Sequence, residues 1–311
     1  MRMEEIDFLI IGAAKSATTW LQQSLQRDPS IYMPDPELHF FSRQFHNGQD
    51  WYLAQFDKTD THRRVGEKSN SYLEKPEAAQ RIRSALPRAK LIVQLRNPIE
   101  RAYSDYCMLF RRGAVGKDIE RYLDPRLAGG DRFLTGGRYF HQLKVYLDLF
   151  KREQLLILFY ENIKRAPQLQ LDHVHGFLQL DPETQLRPVE AKVKDKTTPV
   201  LPRGLRRVIK PLKPMLSPFR QNAIFKALRS TMAQPQDYPA LRPELCLRML
   251  DYYAPDVERL GSLVGENLSG WLREARALPK HSSLEADAPA FGKAIKAISH
   301  RTGLDGNSHD I

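Results

Sequence analysis

FLIIGAAKSATTWLQQSL, residues 8–25, is the stretch from which the fold can be deduced. Phe8 to Ile11 form an unbroken apolar run of the kind a strand buried on both faces requires, and Gly12 ends it. A loop of mostly small residues follows. Trp20, Leu21 and Leu25 then recur at helical spacing until Asp28-Pro29 stops the pattern. The unit is strand, tight loop, helix.

Working outward, the same alternation returns. Pro76 opens a helix through Leu86, Pro87 ends it, and Lys90 to Leu95 (KLIVQL) has the composition of a buried strand. Asn97-Pro98-Ile99-Glu100 is a helix start, with Asn97 as N-cap, Pro98 at the first helical position and Glu100 three residues on. A helix around Phe140 to Phe150 leads into the strand Leu155 to Phe159, and a helical region covers about Pro243 to Leu272. Strands alternating with helices predict an α/β fold, a three-layer sandwich with a central parallel sheet and a P-loop-like binding loop. One main domain is expected over 1–275, with a basic, proline-rich excursion at 192–229 and a flexible tail at 276–311.

The loop itself carries chemistry. Small residues let the backbone close around an anion, the helix N-terminus points N–H groups at it, and Lys15 adds a full charge. The plain alternative is an ordinary strand-to-helix turn with a solvated lysine. A nucleoside triphosphatase loop has its lysine directly after a second glycine, whereas Lys15 comes three residues after Gly12 with no second glycine. The next strong strand also ends in Arg96, where such enzymes place a metal-binding aspartate. Both features count against a kinase or ATPase.

Bulk properties narrow the partners. The 311 residues are 41% hydrophobic and 27% charged, as in a globular protein, and the net charge of +11 favours anionic ligands. From Lys192 to Arg229 there are 11 Lys or Arg and a single acid, Asp195, so the excess is local. Acidic glycan or a membrane surface suits that segment; nucleic acid is not an expected partner. Cys107 and Cys246 lie far apart without metal-ligand spacing, which suggests a reducing compartment and no metal. The short apolar run at the start lacks a signal peptide's length, and no stretch approaches a membrane span, so a cytoplasmic protein is expected, in peripheral contact with a membrane at most.

Three further segments complete the pattern. Arg96 at a strand end is followed eight residues later by Ser104 on the next helix; Glu37-Leu38-His39-Phe40-Phe41 places Glu37 and His39 on one face if extended; Gly66-Glu67-Lys68-Ser69 ends another run. Taken alone, these are a surface ion pair, a polar loop anchored by two phenylalanines, and a solvated turn. Together with the loop they resemble the sulfotransferases that use 3′-phosphoadenosine 5′-phosphosulfate (PAPS), especially the heparan sulfate N- and 3-O-sulfotransferase branch. The likeness covers roughly residues 6 to 270, with its specific motifs before residue 105.

That resemblance implies roles. Lys15, Ser16, Ala17, Thr18, Thr19 and Trp20 correspond to the loop that binds the 5′-phosphosulfate, with Ala17 in place of the usual glycine. Arg96 and Ser104 correspond to the pair that grips the 3′-phosphate, and Arg203-Gly204 to a closing loop, though an ordinary basic face fits the latter as well. Glu37 corresponds to the general base, with Pro36 where a lysine is usual and His39 as an alternative base or orienter. Lys68 corresponds to the lysine that reaches the transferred group. The implied activity is sulfuryl transfer to a hydroxyl or amine of a carbohydrate or glycolipid, with PAPS as co-substrate and no metal. A nucleotide-dependent kinase and a non-catalytic binder of acidic glycan or membrane are the alternatives.

Overall fold

The computed structural model describes residues 1–59, 61–128, 132–189 and 237–276. Five strands form one sheet: β1 (Phe8–Gly12), β2 (Ile31–Tyr32), β3 (Arg64–Lys68), β4 (Lys90–Leu95) and β5 (Leu155–Phe159). Every pairing is parallel, in the order β2-β3-β1-β4-β5. The helices are α1 (Thr18–Leu25), α2 (Gly48–Leu53), α3 (Pro76–Ala85), α4 (Pro98–Arg112), α5 (Glu120–Leu123), α6 (Arg132–Thr135), α7 (Tyr139–Leu149), α8 (Tyr160–Arg165), α9 (Pro167–Leu178), α10 (Pro243–Val264) and α11 (Ser269–Arg276).

The two-residue period of a strand explains the layers. All of β1 is buried, yet its side chains divide between two cores. Phe8 and Ile10 pack with Trp20, Leu21 and Leu25 of α1 and with Leu171, Val174 and Leu178 of α9. Leu9 and Ile11 join Ile82 of α3, Ala102 and Tyr106 of α4, Leu143 and Tyr146 of α7, and Met249 and Tyr253 of α10. Helices on both faces of a parallel sheet make the expected three layers. Among the described residues no helix is long and apolar enough to cross a membrane.

Local signals hold with two corrections. Asn97 caps α4 through its Oδ1, which accepts from the Ile99 N–H at 3.0 Å and the Glu100 N–H at 3.4 Å. Glu100 does not complete the expected reciprocal cap; Glu161 Oε1 takes the Asn97 N–H instead, at 3.0 Å. The region from Pro243 to Leu272 is two helices, because Gly265 adopts φ 73° and its N–H returns to the Gly261 carbonyl, ending α10. The basic segment 192–229 and the tail lie outside the described residues.

One buried charge stands out on α4. Arg101 is fully enclosed, donates to the Phe133 carbonyl of α6, and has Asp105 Oδ2 3.8 Å from Nη1. Asp105, also buried, is paired with Arg132 of α6 at 3.0 Å.

Gly66 is required by its neighbour across the sheet. The tip of the Phe8 ring lies against it, and a Cβ there would fall inside contact distance of three ring carbons. Gly66→Ala is therefore expected to destabilise the protein by about 1–3 kcal/mol through overpacking, read as a lower urea midpoint with an unchanged m-value.

Candidate active site

Residues 13–17 leave β1 and run over the end of β4. The Ala13 N–H bonds the Gln94 carbonyl at 2.9 Å, the Ser16 carbonyl accepts from the Gln94 amide, and the Lys15 carbonyl accepts from Arg96 Nη1 at 3.3 Å. The chain turns through two left-handed residues, Lys15 at φ 72° and Ala17 at φ 63°. Turns of this kind bring successive amides together into an anion-binding nest, and the first N–H groups of α1 have no acceptor within the helix. Ala17 is the N-cap of α1.

The turn that leaves β3 organises the second half of the site. Asn70 donates to both oxygens of Glu37, from its backbone N–H and its side-chain amide, each at 3.1 Å. It also accepts from Thr18 Oγ1 at 2.6 Å. Lys68, only 4% exposed, holds Glu37 Oε1 at 3.1 Å and donates to Thr19 Oγ1 at 3.2 Å. His39 Nε2 lies 3.7 Å from Glu37 Oε2, its Nδ1 lies 2.7 Å from Ser71 Oγ, and its backbone N–H bonds Ser69 Oγ at 2.8 Å. The structure thus brings Glu37, His39, Lys68, Thr18 and Thr19 into one network beside Lys15 and Ser16.

Glu37 and His39 share a side for a different reason than extended alternation. His39 is left-handed, φ 52°, and opens a short π-helical turn, Phe40–Gln44, whose Arg43 and Gln44 N–H groups both return to the His39 carbonyl. Burial pushes the His39 pKa down; the Glu37 carboxylate opposes that, while Arg43 and Lys68 add to it. Phe40 and Phe41 are buried, as expected, and Phe40 stacks on Tyr52.

The second anion corner lies at the end of β4. Arg96 sits over the Tyr160 ring at 4.4 Å, and its Nε and Nη2 both donate to Glu100 Oε2, at 3.1 and 2.6 Å. One edge of its fork is therefore occupied from within the chain. Ser104 is buried two turns along α4. Burial raises the Glu161 pKa, and Arg96 counters this.

The Trp20 side chain points into the core. Its indole belongs to the core under α1 and donates Nε1–H to the Val189 carbonyl at 3.1 Å, so the side chain supports the helix start. Arg203 and Gly204 lie outside the described residues. Among the described residues no group of three or more His, Cys, Asp or Glu is arranged to hold a metal ion.

Sequence reasoning passed over Asn70, Ser71, Ser42, Glu67 and Tyr160. A run of Ser, Asn and Ser directly after a buried strand was the available signal. Glu67 is fully buried; Ser69 Oγ donates to its Oε2 at 3.2 Å and Tyr72 OH to its Oε1. Burial raises its pKa to about 7, against the opposing effect of those hydroxyls. Ser69 and Tyr72 in turn accept the His39 and Phe41 N–H groups, so Glu67 braces the His39 turn from below.

Comparison with known proteins shows the family. A sulfotransferase-domain family model matches residues 5–197. The bifunctional heparan sulfate N-deacetylase/N-sulfotransferase 1 of Caenorhabditis briggsae is 31% identical over 195 residues, 56% of this chain and 22% of that protein. Human heparan sulfate glucosamine 3-O-sulfotransferase 6 is 31% identical over 177 residues, 55% of this chain and 52% of that protein. The match thus spans 22% of the first relative and 52% of the second. Among solved structures, a sulfotransferase from Alicyclobacillus acidocaldarius is 27% identical with TM-score 0.63, covering 86% of this chain and 98% of that one.

Two outcomes follow from the local geometry. Ala17→Gly is expected to stabilise the protein by about 1 kcal/mol, since a left-handed Cβ costs that much, read as a higher melting temperature. For Glu67, both states are protonated below the ordinary value of 4.5, and between there and about 7 only the folded state keeps its proton. Folded stability should therefore fall as pH rises through that window, by on the order of 3 kcal/mol relative to Glu67→Gln, measured by urea denaturation of both proteins at pH 5 and pH 8.

Proposed function

The chain belongs to the sulfotransferase family, and we propose that it moves the sulfuryl group of PAPS onto a hydroxyl or amine of a carbohydrate. The observation that carries this is the bridge from Glu37 through Lys68 to Thr19, which ties an acid–base pair to an anion-binding helix start. The residues fit the donor. The nest at 13–17, Lys15 and the α1 amides suit a phosphosulfate, and Arg96 with Ser104 suits a second phosphate on the other side of the loop.

PAPS supplies an activated sulfur, to which the acceptor oxygen or nitrogen bonds as the sulfur–oxygen bond to the 5′-phosphate breaks, the electron pair leaving with the phosphate of PAP. The chain's own residues position and neutralise. Lys15 and the loop amides take up the charge gathering on the leaving phosphate; Lys68 faces the transferred group; the Glu37–His39 pair takes the acceptor's proton. Arg96 reads the 3′-phosphate with the guanidinium N–H groups left by Glu100 and the Lys15 carbonyl.

The carbohydrate assignment is supported by the names of the curated relatives, which act on heparan sulfate. A glycolipid acceptor, membrane contact through 192–229, a domain ending near 275 and a cytoplasmic location extend the same proposal. The location is supported by Cys107 and Cys246, both buried and free. Vesicle flotation, limited proteolysis and imaging of a tagged chain test these extensions.

Labelled PAPS offered with a panel of glycans, lipids and phenols should yield a sulfated glycan; no transfer to any acceptor would refute the assignment. Arg96→Ala should weaken PAPS by about two orders of magnitude, from the loss of charge-assisted bonds worth ~1.5–3 kcal/mol each. Binding of adenosine 5′-phosphosulfate should barely change. Equal losses for both nucleotides in calorimetry would place the 3′-phosphate elsewhere.

A further inference from the structure

Three contacts close a ring around His39. Its Nδ1 lies 2.7 Å from Ser71 Oγ, Ser71 Oγ lies 2.6 Å from Ser42 Oγ, and Ser42 Oγ donates at 3.3 Å to the His39 carbonyl, an oxygen it shares with the Ser42, Arg43 and Gln44 N–H groups. Each serine hydroxyl has one proton to give, and a carbonyl has none. If Ser42 gives its proton to the carbonyl, the Ser42–Ser71 bond must be donated by Ser71. Ser71 then has nothing left for Nδ1, and that bond must be donated by the imidazole. All three contacts are hydrogen bonds together only when His39 carries its proton on Nδ1.

We infer that Ser42 and Ser71 are positioning residues that hold His39 as its Nδ1–H tautomer, leaving the Nε2 lone pair beside Glu37 to take the acceptor's proton. The catalytic half of this inference rests on the sulfuryl transfer proposed above; the tautomer does not. Glu37 does not hold a proton on Nε2, because 3.7 Å is beyond hydrogen-bond reach. Its oxygens already accept from Asn70 and Lys68. Burial favours the neutral ring, with Glu37 opposing and Arg43 and Lys68 assisting; these are the charged groups that face it. As the acceptor's oxygen bonds to sulfur, its proton passes to Nε2. The resulting imidazolium is held by Ser71 on Nδ1 and by the Glu37 charge across the gap.

The test uses the whole chain labelled with 15N-histidine, free of nucleotide, at pH 8, with His39 identified by the signal lost in His39→Gln. Wild type should show a protonated Nδ1 and a bare Nε2. Ser71→Ala and Ser42→Ala should each move the proton towards Nε2, and kcat should fall by about tenfold or more with KM for both substrates unchanged. Ser42 is partly exposed, so its variant keeps the test open if Ser71→Ala fails to fold. A wild-type proton on Nε2, or a tautomer unmoved in the folded variants, would overturn the assignment of Ser42 and Ser71. A tautomer that switches without loss of kcat would overturn Nε2 as proton acceptor. Absence of any sulfuryl transfer in wild type, with the tautomer as expected, would instead count against the proposed reaction.

Discussion

Two backbone hydrogen bonds, Ser69 N–H to the Ile10 carbonyl at 3.0 Å and Leu73 N–H to the Ile11 carbonyl at 2.9 Å, clamp the turn after β3 onto the end of β1. Everything chemically interesting hangs from that clamp. Asn70 reaches Glu37 on one side and Thr18 on the other, Ser69 and Ser71 hold His39, and Lys68 joins Glu37 to Thr19. Gly12 permits the close approach, since a Cβ there would lie 2.8 Å from the Leu73 Cβ. Main-chain bonds between neighbouring strands of a parallel sheet thus hold this polar constellation in place.

A cluster of buried polar groups lies at this end of the sheet, apart from others such as Arg101, Asp105, Asp124 and Asp256. Ser16, Glu67, Ser69 and Gln94 are wholly enclosed, and Lys68, Asn97 and Ser104 nearly so. Enclosing such groups costs free energy unless partners are supplied, and most of them have partners within the cluster. The cost is offset by the two apolar cores on either face of the sheet. A polar sheet end between two apolar cores is a local departure from stability rules of the sort that marks functional sites.

The layers were legible because they follow from periodicity. Phe8 to Ile11, Lys90 to Leu95 and Leu155 to Phe159 announce buried strands, and Trp20, Leu21 and Leu25 announce α1. The site was legible only as separate pieces. Nothing in Ser42, Asn70 or Ser71 taken singly reveals that they converge, since their partners lie across 29 to 52 positions of sequence in space-only contacts. The spacing of Trp20 with Leu21 and Leu25 already places its side chain in the core. Glu100 looked like half of a reciprocal cap, but Arg96 four residues earlier on the same corner attracts it more strongly than a neutral N–H.

The enclosed guanidinium of Arg101 constrains the order of assembly. Without the Phe133 carbonyl it would keep only Asp105 of its own helix, 3.8 Å away, in an apolar interior, a disfavoured state. The inner face of α4 therefore cannot close over the sheet until the short helix at Arg132–Thr135 has arrived. Closure of α4 and docking of that helix are thereby coupled, and a chain lacking that contact leaves the apolar seam of α4 open to neighbouring molecules.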